Sequence, residues 1–311
     1  MTRLRYAVGM LGTAMAAAAL VPGAAHAQAT AQARTTAVCS LTLGTVTVQG
    51  DHKFQRITAT TPVTAGTPKV GPKALFPVDS VRLASSVGWE PDPPAGMADS
   101  GYVQIVNDLY RFRYVTDLTT GELDPASYQK TKVGGGWIHQ TYFEQSNAYT
   151  YPVPRTNTYA LEGNVITRWT VEGSVWRNKA TYTGFSAVKT MALLSQTATY
   201  DTFLANTRGG ALYTIRIPSR GGPVVKKVRS STWQSFETLI AERCGKQSTV
   251  LLAIDKDTRN GYLYAVSHAN GTATVIKGLG KVGNQLVAPE DKAYFRHFPG
   301  SSEADALLYG E

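Results

Sequence analysis

An internal repeat restricts what this chain can fold into more than any other feature. Residues 128–137 (YQKTKVGGGW), 176–185 (WRNKATYTGF) and 224–233 (VVKKVRSSTW) each run from an apolar residue through a basic or polar middle to small residues and an aromatic. The closing aromatics Trp137, Phe185 and Trp233 stand 48 positions apart. One more step reaches Lys281 in IKGLGKVGN, where the small residues persist and the aromatic is lost. Upstream, residues 70–76 (VGPKALF) read as a weaker copy. A period of about 40 to 50 residues belongs to solenoids, propellers or arrays.

A second pattern interleaves with the first. Short apolar runs at 102–106, 158–161, 202–205 and 249–253 are each followed by a turn containing Asn or Gly. Alternating runs then follow at 109–112, 165–169, 212–215 and 262–266. Apolar run, turn and alternating run is the signal of a β-hairpin. The first run of each pair is apolar throughout and is expected to be buried on both faces; the second is expected to be half exposed. With the basic strand and a further apolar strand (189–194, 237–241), one unit holds about four strands, as propeller blades do. Amphipathic helical patterns are nearly absent, which excludes helical solenoids. The fold class expected is all-β: a five-bladed β-propeller of four-stranded antiparallel blades. The ring would be closed by pairing the C-terminal strand, placed at Ala306–Tyr309, with the N-terminal strands 41–48 and 54–59. Residues 58–69 and 85–100 read as insertions.

These blades resemble the tachylectin-type five-bladed propeller lectins. The resemblance rests on the hairpin runs Asp108-Leu109-Tyr110-Arg111, Ala211-Leu212-Tyr213 and Gly261-Tyr262-Leu263-Tyr264. It also rests on Gly136-Trp137 and Thr232-Trp233-Gln234-Ser235-Phe236 as the small-aromatic element. It extends from about residue 40 to the end. Phe185 replaces Trp, Lys281 replaces the aromatic, and the first unit is distorted. The resemblance implies binding of N-acetylated sugars at sites repeated around a ring, and the departures imply fewer working sites.

The first residues are basic (Arg3, Arg5), the run 6–21 is apolar and Ala-rich, and Ala25-His26-Ala27 follows. This is the layout of a secretory signal peptide cleaved after Ala27. Residues 1–27 are therefore expected to be a signal peptide, 28–38 a flexible N-terminal segment and 39–311 a single β-propeller domain, secreted to the extracellular space. No later run reaches the length of a transmembrane segment. Net charge is +9, and loss of Arg3 and Arg5 leaves +7. That charge favours acidic glycans or wall polymers. It does not argue for nucleic acid, because the densest basic group, Lys226-Lys227-Val228-Arg229, alternates like a solvated strand face. The two cysteines allow one pairing, and export makes a Cys39–Cys244 disulfide chemically accessible; two separate buried thiols are the alternative.

Motifs for catalysis are missing: no Gly-x-Ser-x-Gly, His-Glu-x-x-His or phosphate loop occurs. His52, His139, His268 and His297 are not spaced as metal pairs. Residues 255–261 (DKDTRNG) resemble a calcium loop only faintly, since Val266 stands where a bidentate Glu belongs. Hence no metal, cofactor or catalytic residue is expected. Asp79, Asp201, Asp255 and Glu237 are noted as carboxylates that a glycosidase would need. Sugar rings stack on aromatics and need directed donors and acceptors. The candidates for carbohydrate contact are Trp137, Phe185 and Trp233, with Asn107, Asn206 and Asp257 at turns. Packing between units and turn formation are the competing roles. Trp89, in GWEPDPPAG, is either an exposed contact or a loop anchor. The function expected is a lectin-like carbohydrate-binding protein. A protein-binding platform is the alternative, and a glycan-active hydrolase ranks behind both.

Overall fold

The computed structural model describes residues 38–149, 154–283 and 286–300, together with Leu308 and Gly310. The signal peptide expected at 1–27 and most of the segment 28–38 lie outside the described residues, as do Ala306, Leu307 and Tyr309.

Strands dominate. The first stretch supplies β1 (Ser40–Thr47), β2 (His52–Thr58), β3 (Thr64–Ala65), β4 (Lys69–Val70), β5 (Val81–Ala84), β6 (Val87–Asp92), β7 (Gly96–Ile105), β8 (Asp108–Asp117) and β9 (Leu123–Gly135). Three four-stranded antiparallel meanders follow. The first is β10 (Gln140–Ala148), β11 (Arg155–Glu162), β12 (Val165–Glu172) and β13 (Val175–Thr183). The second is β14 (Val188–Gln196), β15 (Tyr200–Thr207), β16 (Leu212–Pro218) and β17 (Val224–Arg229). The third is β18 (Thr238–Arg243), β19 (Ser248–Asp255), β20 (Asn260–Ser267) and β21 (Val275–Lys281). The last strand, β22 (Asp291–Pro299), pairs with β1 in an antiparallel ladder. It also pairs with β6 in parallel, so β1–β9 and β22 share one ten-stranded sheet. The leading strands are neighbours in turn: β5 lies against β10, β10 against β14, β14 against β18, β18 against β22, and β22 against β5.

The sequence pattern maps onto burial as expected. β14, β15 and β19, with apolar centres, are buried on both faces; β16 and β20 alternate; β13, β17 and β21 are largely exposed. Each hydrophobic cluster fills the space between two neighbouring meanders. Leu41, Leu43 and Ile57 meet Leu252, Ile254 and Leu263, and Leu204 and Leu212 meet Leu251 and Val266. The Cys39–Cys244 disulfide, with Cα atoms 5.4 Å apart, ties the start of β1 to the end of β18 beside the first of these clusters.

The recurring aromatic has a defined job. As the chain leaves the outer strand of one meander, one backbone N–H bonds a carbonyl in that meander's own hairpin turn. Phe76 donates to Gly50 (3.3 Å), Trp137 to Asn107 (2.9 Å), Phe185 to Asn164 (3.2 Å), Trp233 to Gly210 (3.0 Å) and Val282 to Gly261 (2.8 Å). All five side chains are buried. Two of the turns require glycine. Gly50 and Gly210 have φ of +80° and +87°, and a Cβ would come within 1.9 Å of the Phe76 carbonyl or 2.2 Å of the Gln234 side-chain oxygen.

One expectation is corrected. Among the described residues the strand that joins the N-terminal strands is β22; of residues 306–309, where that strand was expected, only Leu308 is described. Leu308 accepts from the Gln196 N–H and Gly310 donates to the Leu194 carbonyl, so both lie along β14.

Candidate functional site

Three of the chain's five tryptophans converge on one cleft between the β7–β8–β9 meander and the β10–β13 meander. Its volume is about 440 Å³. Trp137 enters from the end of β9, locked by its N–H on Asn107. Trp169 and Trp176 come from β12 and β13, joined by a tight hairpin. The β12–β13 register slips between Arg168 and Thr170, with the extra residue on β13, so that Asn178, at φ +49°, and Lys179 both face Trp169. The bulge bends β13, the strand that carries Trp176. Trp137 and Trp169 have centroids 5.8 Å apart, Trp169 and Trp176 5.4 Å, and Trp137 and Trp176 6.1 Å at 87°. Phe143 stacks parallel behind Trp176 and Tyr102 meets it edge-on, so the cluster is backed by buried rings. Trp169 and Trp176 remain half-buried and keep surface for a ligand.

Polar groups line the cleft beside the indoles. Tyr102, Arg111 and Thr131 form one cross-strand row over β7, β8 and β9. Lys132, held 2.8 Å from Asp108, and Ser174 complete the rim. Burial pushes the Tyr102 phenol above its ordinary range, so it stays a neutral hydroxyl. Lys179 sits over the far face of the cluster, 5.8 Å from the Trp169 ring. Gly134 lines the floor, where its missing side chain keeps the cleft open; a Cβ there would lie 4.0 Å from Trp137 Nε1.

The remaining candidates do not gather here. Phe185 and Trp233 are 5% and 6% exposed and belong to clusters between other meanders. Trp233 packs on Phe236 and Tyr264. Both rings are structural anchors in this state. Asn107 caps the start of β10 through its carbonyl to Trp137 and its Oδ1 to the Ile138 N–H (3.2 Å). Asn206 lies inside the fold in this state. It is fully buried, and its Nδ2 donates to the Trp233 and Phe236 carbonyls at 2.8 Å each. Asp257 is exposed on the β19–β20 turn, away from the tryptophans. In the same turn Asp255 accepts from the Thr258 N–H, an ordinary turn bond. Trp169 and Trp176, which line the cleft, were not singled out by the sequence pattern.

A second cavity, about 140 Å³, lies among the leading strands β5, β10, β14, β18 and β22. Glu144 faces it. Burial raises its carboxyl above the ordinary range, although the Ser86 N–H and hydroxyl and the Gln145 N–H all donate to it. Glu237, one of the carboxylates noted for a hydrolase, lines the same cavity, and each of three such carboxylates has an ionic partner. Asp201 is fully buried against Arg155, Glu237 pairs with Lys189 at 2.6 Å, and Asp79 pairs with Lys292 on the surface. Among the described residues no group of His, Cys, Asp and Glu is arranged as a metal site, and no helix is long and apolar enough to cross a membrane.

No protein-family model and no curated protein matches the chain. Solved structures give distant likenesses. The six-bladed β-propeller fucose-binding lectin of the fungus Aleuria aurantia shares 10% identity over 81% of each chain, with a TM-score of 0.43. The BP39L lectin of Burkholderia pseudomallei shares 13% over 79% of this chain and 70% of its own, at 0.40. The α-L-arabinofuranosidase PaAbf62A of Podospora anserina shares 10% over 74% and 81%, at 0.43. At these scores the functional reading rests on the cleft's own geometry.

Proposed function

We propose that this chain is a secreted, non-enzymatic carbohydrate-binding protein built as a five-bladed β-propeller, and that the Trp137–Trp169–Trp176 cleft is its sugar site. The observation that carries the reading is the convergence of three indoles, two with free surface, beside a row of hydroxyl and guanidinium donors. A pyranose has an apolar face of C–H groups and an equatorial belt of hydroxyls. The indoles match the first, and Arg111, Thr131 and Ser174 match the second. No carboxylate pair lies in the cleft to support hydrolysis. The cyclic adjacency of β5, β10, β14, β18 and β22, and the β1–β22 ladder, support five blades with joined ends. The basic, apolar and Ala-x-Ala start supports export, and the Cys39–Cys244 disulfide suits an oxidising compartment.

The test is retention on immobilised sugars, N-acetylated ones first, for the wild type, Trp169→Ala, Trp176→Ala and Gly134→Leu. The first two remove half-buried rings and the third fills the cleft from a backbone position with ordinary φ. Each is expected to lose at least about tenfold in affinity, the equivalent of about 1.4 kcal/mol for a lost stacking contact. Wild-type retention by all three folded variants would remove the cleft from the binding site. Failure of the wild type on every glycan would favour a protein-binding platform.

A further inference from the structure

A second groove, of about 700 Å³, lies on another face of the molecule and shares no residue with the tryptophan cleft. Its floor is one face of the sheet where β22 lies between β1 and β6. Arg56 on β2 pairs with Thr42 on β1, Thr42 pairs with His297 on β22, and Pro299 two residues on pairs with Trp89 on β6. Cross-strand partners project to the same face, and so do residues two apart. Arg56, Thr42, His297, Pro299 and Trp89 therefore line one surface. Across four strands spaced about 4.8 Å apart, the line from Arg56 to Trp89 spans roughly 14 Å, which exceeds one sugar ring.

The side wall is the turn Arg243-Cys244-Gly245-Lys246, held against the start of β1 by the Cys39–Cys244 disulfide. The charge in the groove is one-sided. Arg56, Arg243 and Lys246 bring three cations. The single carboxylate in the wall, Glu242, is already taken by Arg296 through two bonds of 2.8 and 2.7 Å. Arg56 and Lys246 are exposed, and among the described residues neither has an ionic partner. Trp89 is half-buried at the far end, where its backbone carbonyl accepts from the Gly300 N–H at 2.6 Å.

We infer that this groove binds an anionic oligosaccharide, its acidic groups held by Arg56, Lys246 and Arg243 and one ring stacked on Trp89. The spacing separates two tasks. The cations lie at the β2 and β18 side and the indole at the β6 side, so a ligand satisfying both must be at least a short oligomer bearing negative charge. A carboxylate and a sulfate present the same chemistry to these cations. The inference does not depend on the tryptophan cleft, and the two sites fail separately.

Calorimetric titration of the full-length mature protein tests it with three probes: an oligogalacturonate, a heparin-derived hexasaccharide and neutral maltotriose. One or both charged probes are expected to bind, which identifies carboxylate, sulfate or either as the acidic group, and maltotriose is expected not to bind in this groove. Arg56→Ser and Lys246→Ser, both exposed changes, should each weaken the charged probe about tenfold, as loss of a charge-assisted contact does. Trp89→Ala should weaken it at fixed salt, and Trp169→Ala should leave it unchanged. Raising salt from about 50 to about 500 mM should weaken binding through the cations. Absence of binding by both charged probes overturns the inference. So does charged-probe affinity that survives Arg56→Ser, Lys246→Ser and Trp89→Ala together, or that is lost in Trp169→Ala.

Discussion

His52 gives the most quantitative prediction the structure supports. Its side chain is enclosed by five rings: Phe295 at 5.1 Å, Phe76 and Tyr114 at 5.5 Å, Phe112 at 5.6 Å and Phe54 at 5.7 Å. One polar contact serves it, Nδ1 to the Tyr114 hydroxyl at 2.8 Å. Burial foremost, and the charge of His297 second, lower its pKa from the ordinary 6.5 to about 3. The unfolded chain therefore takes up a proton on this imidazole below pH 6.5, whereas the folded chain does so only near pH 3. Stability from this group is complete above pH 6.5 and drains away as the pH falls towards 3. Linkage at about 1.4 kcal/mol per pH unit places the full loss at roughly 5 kcal/mol, of which about 2 kcal/mol is gone at about pH 5. Glu144 works in the opposite sense. Its raised folded pKa gives stability that is present below its unfolded value of 4.5 and declines as pH rises. Urea unfolding of the wild type and His52→Gln between about pH 4 and pH 8 isolates the histidine, since the Glu144 contribution is common to both. The variant is expected to be less stable overall but to lose much less stability between about pH 7 and pH 5. Parallel curves for the two proteins would refute the assignment of that acid sensitivity to His52.

Three further outcomes follow from other parts of the molecule. The Cys39–Cys244 bond spans a sequence separation of 205, for which chain-entropy arguments give about 5 kcal/mol as an upper figure. Cys39→Ser with Cys244→Ser should lower the urea midpoint, and thiol labelling of the denatured, unreduced wild type should find no free thiol. Asp201 is fully buried and accepts from both Arg155 guanidinium nitrogens (2.6 and 2.7 Å), the Ser146 hydroxyl (2.5 Å) and the Tyr159 phenol. Asp201→Leu leaves the guanidinium unpaired and should cost about 3 to 5 kcal/mol by thermal or urea unfolding, while binding in the tryptophan cleft at low temperature stays unchanged.

How much of this was legible in the sequence depended on whether a residue's role was local. The hairpins were, because alternation and an Asn or Gly turn are decided within about ten residues. The repeat was nearly so, and it slips by one position at the last copy, where the anchor falls on Val282 and not on Lys281. At that place an aliphatic side chain with no exposed surface fills the gap as well as a ring does. The joining strand was misplaced for a different reason. Residues 293–298 (AYFRHF) carry an arginine and a histidine that look solvated in a linear reading. In the fold Arg296 is held by Glu242 and His297 by Asp99 at 2.6 Å, partners 54 and 198 residues away. Buried pairs of this kind disguise a core strand as a polar one.

The same limit explains the site. A repeated aromatic cannot be divided between core and contact from its own position, because Trp137 and Trp233 make the same backbone bond to equivalent turns. What separates them is the neighbour each one meets. Trp233 meets Phe236 and Tyr264, rings that close over it. Trp137 meets two more indoles, contributed by neighbouring strands of the next meander. Three rings of that size cannot all turn their faces inward within one narrow interface, and the surface left over is the cleft. The proposed binding site is thus a packing surplus at one of several equivalent junctions, which is why the repeat alone pointed to all of them equally.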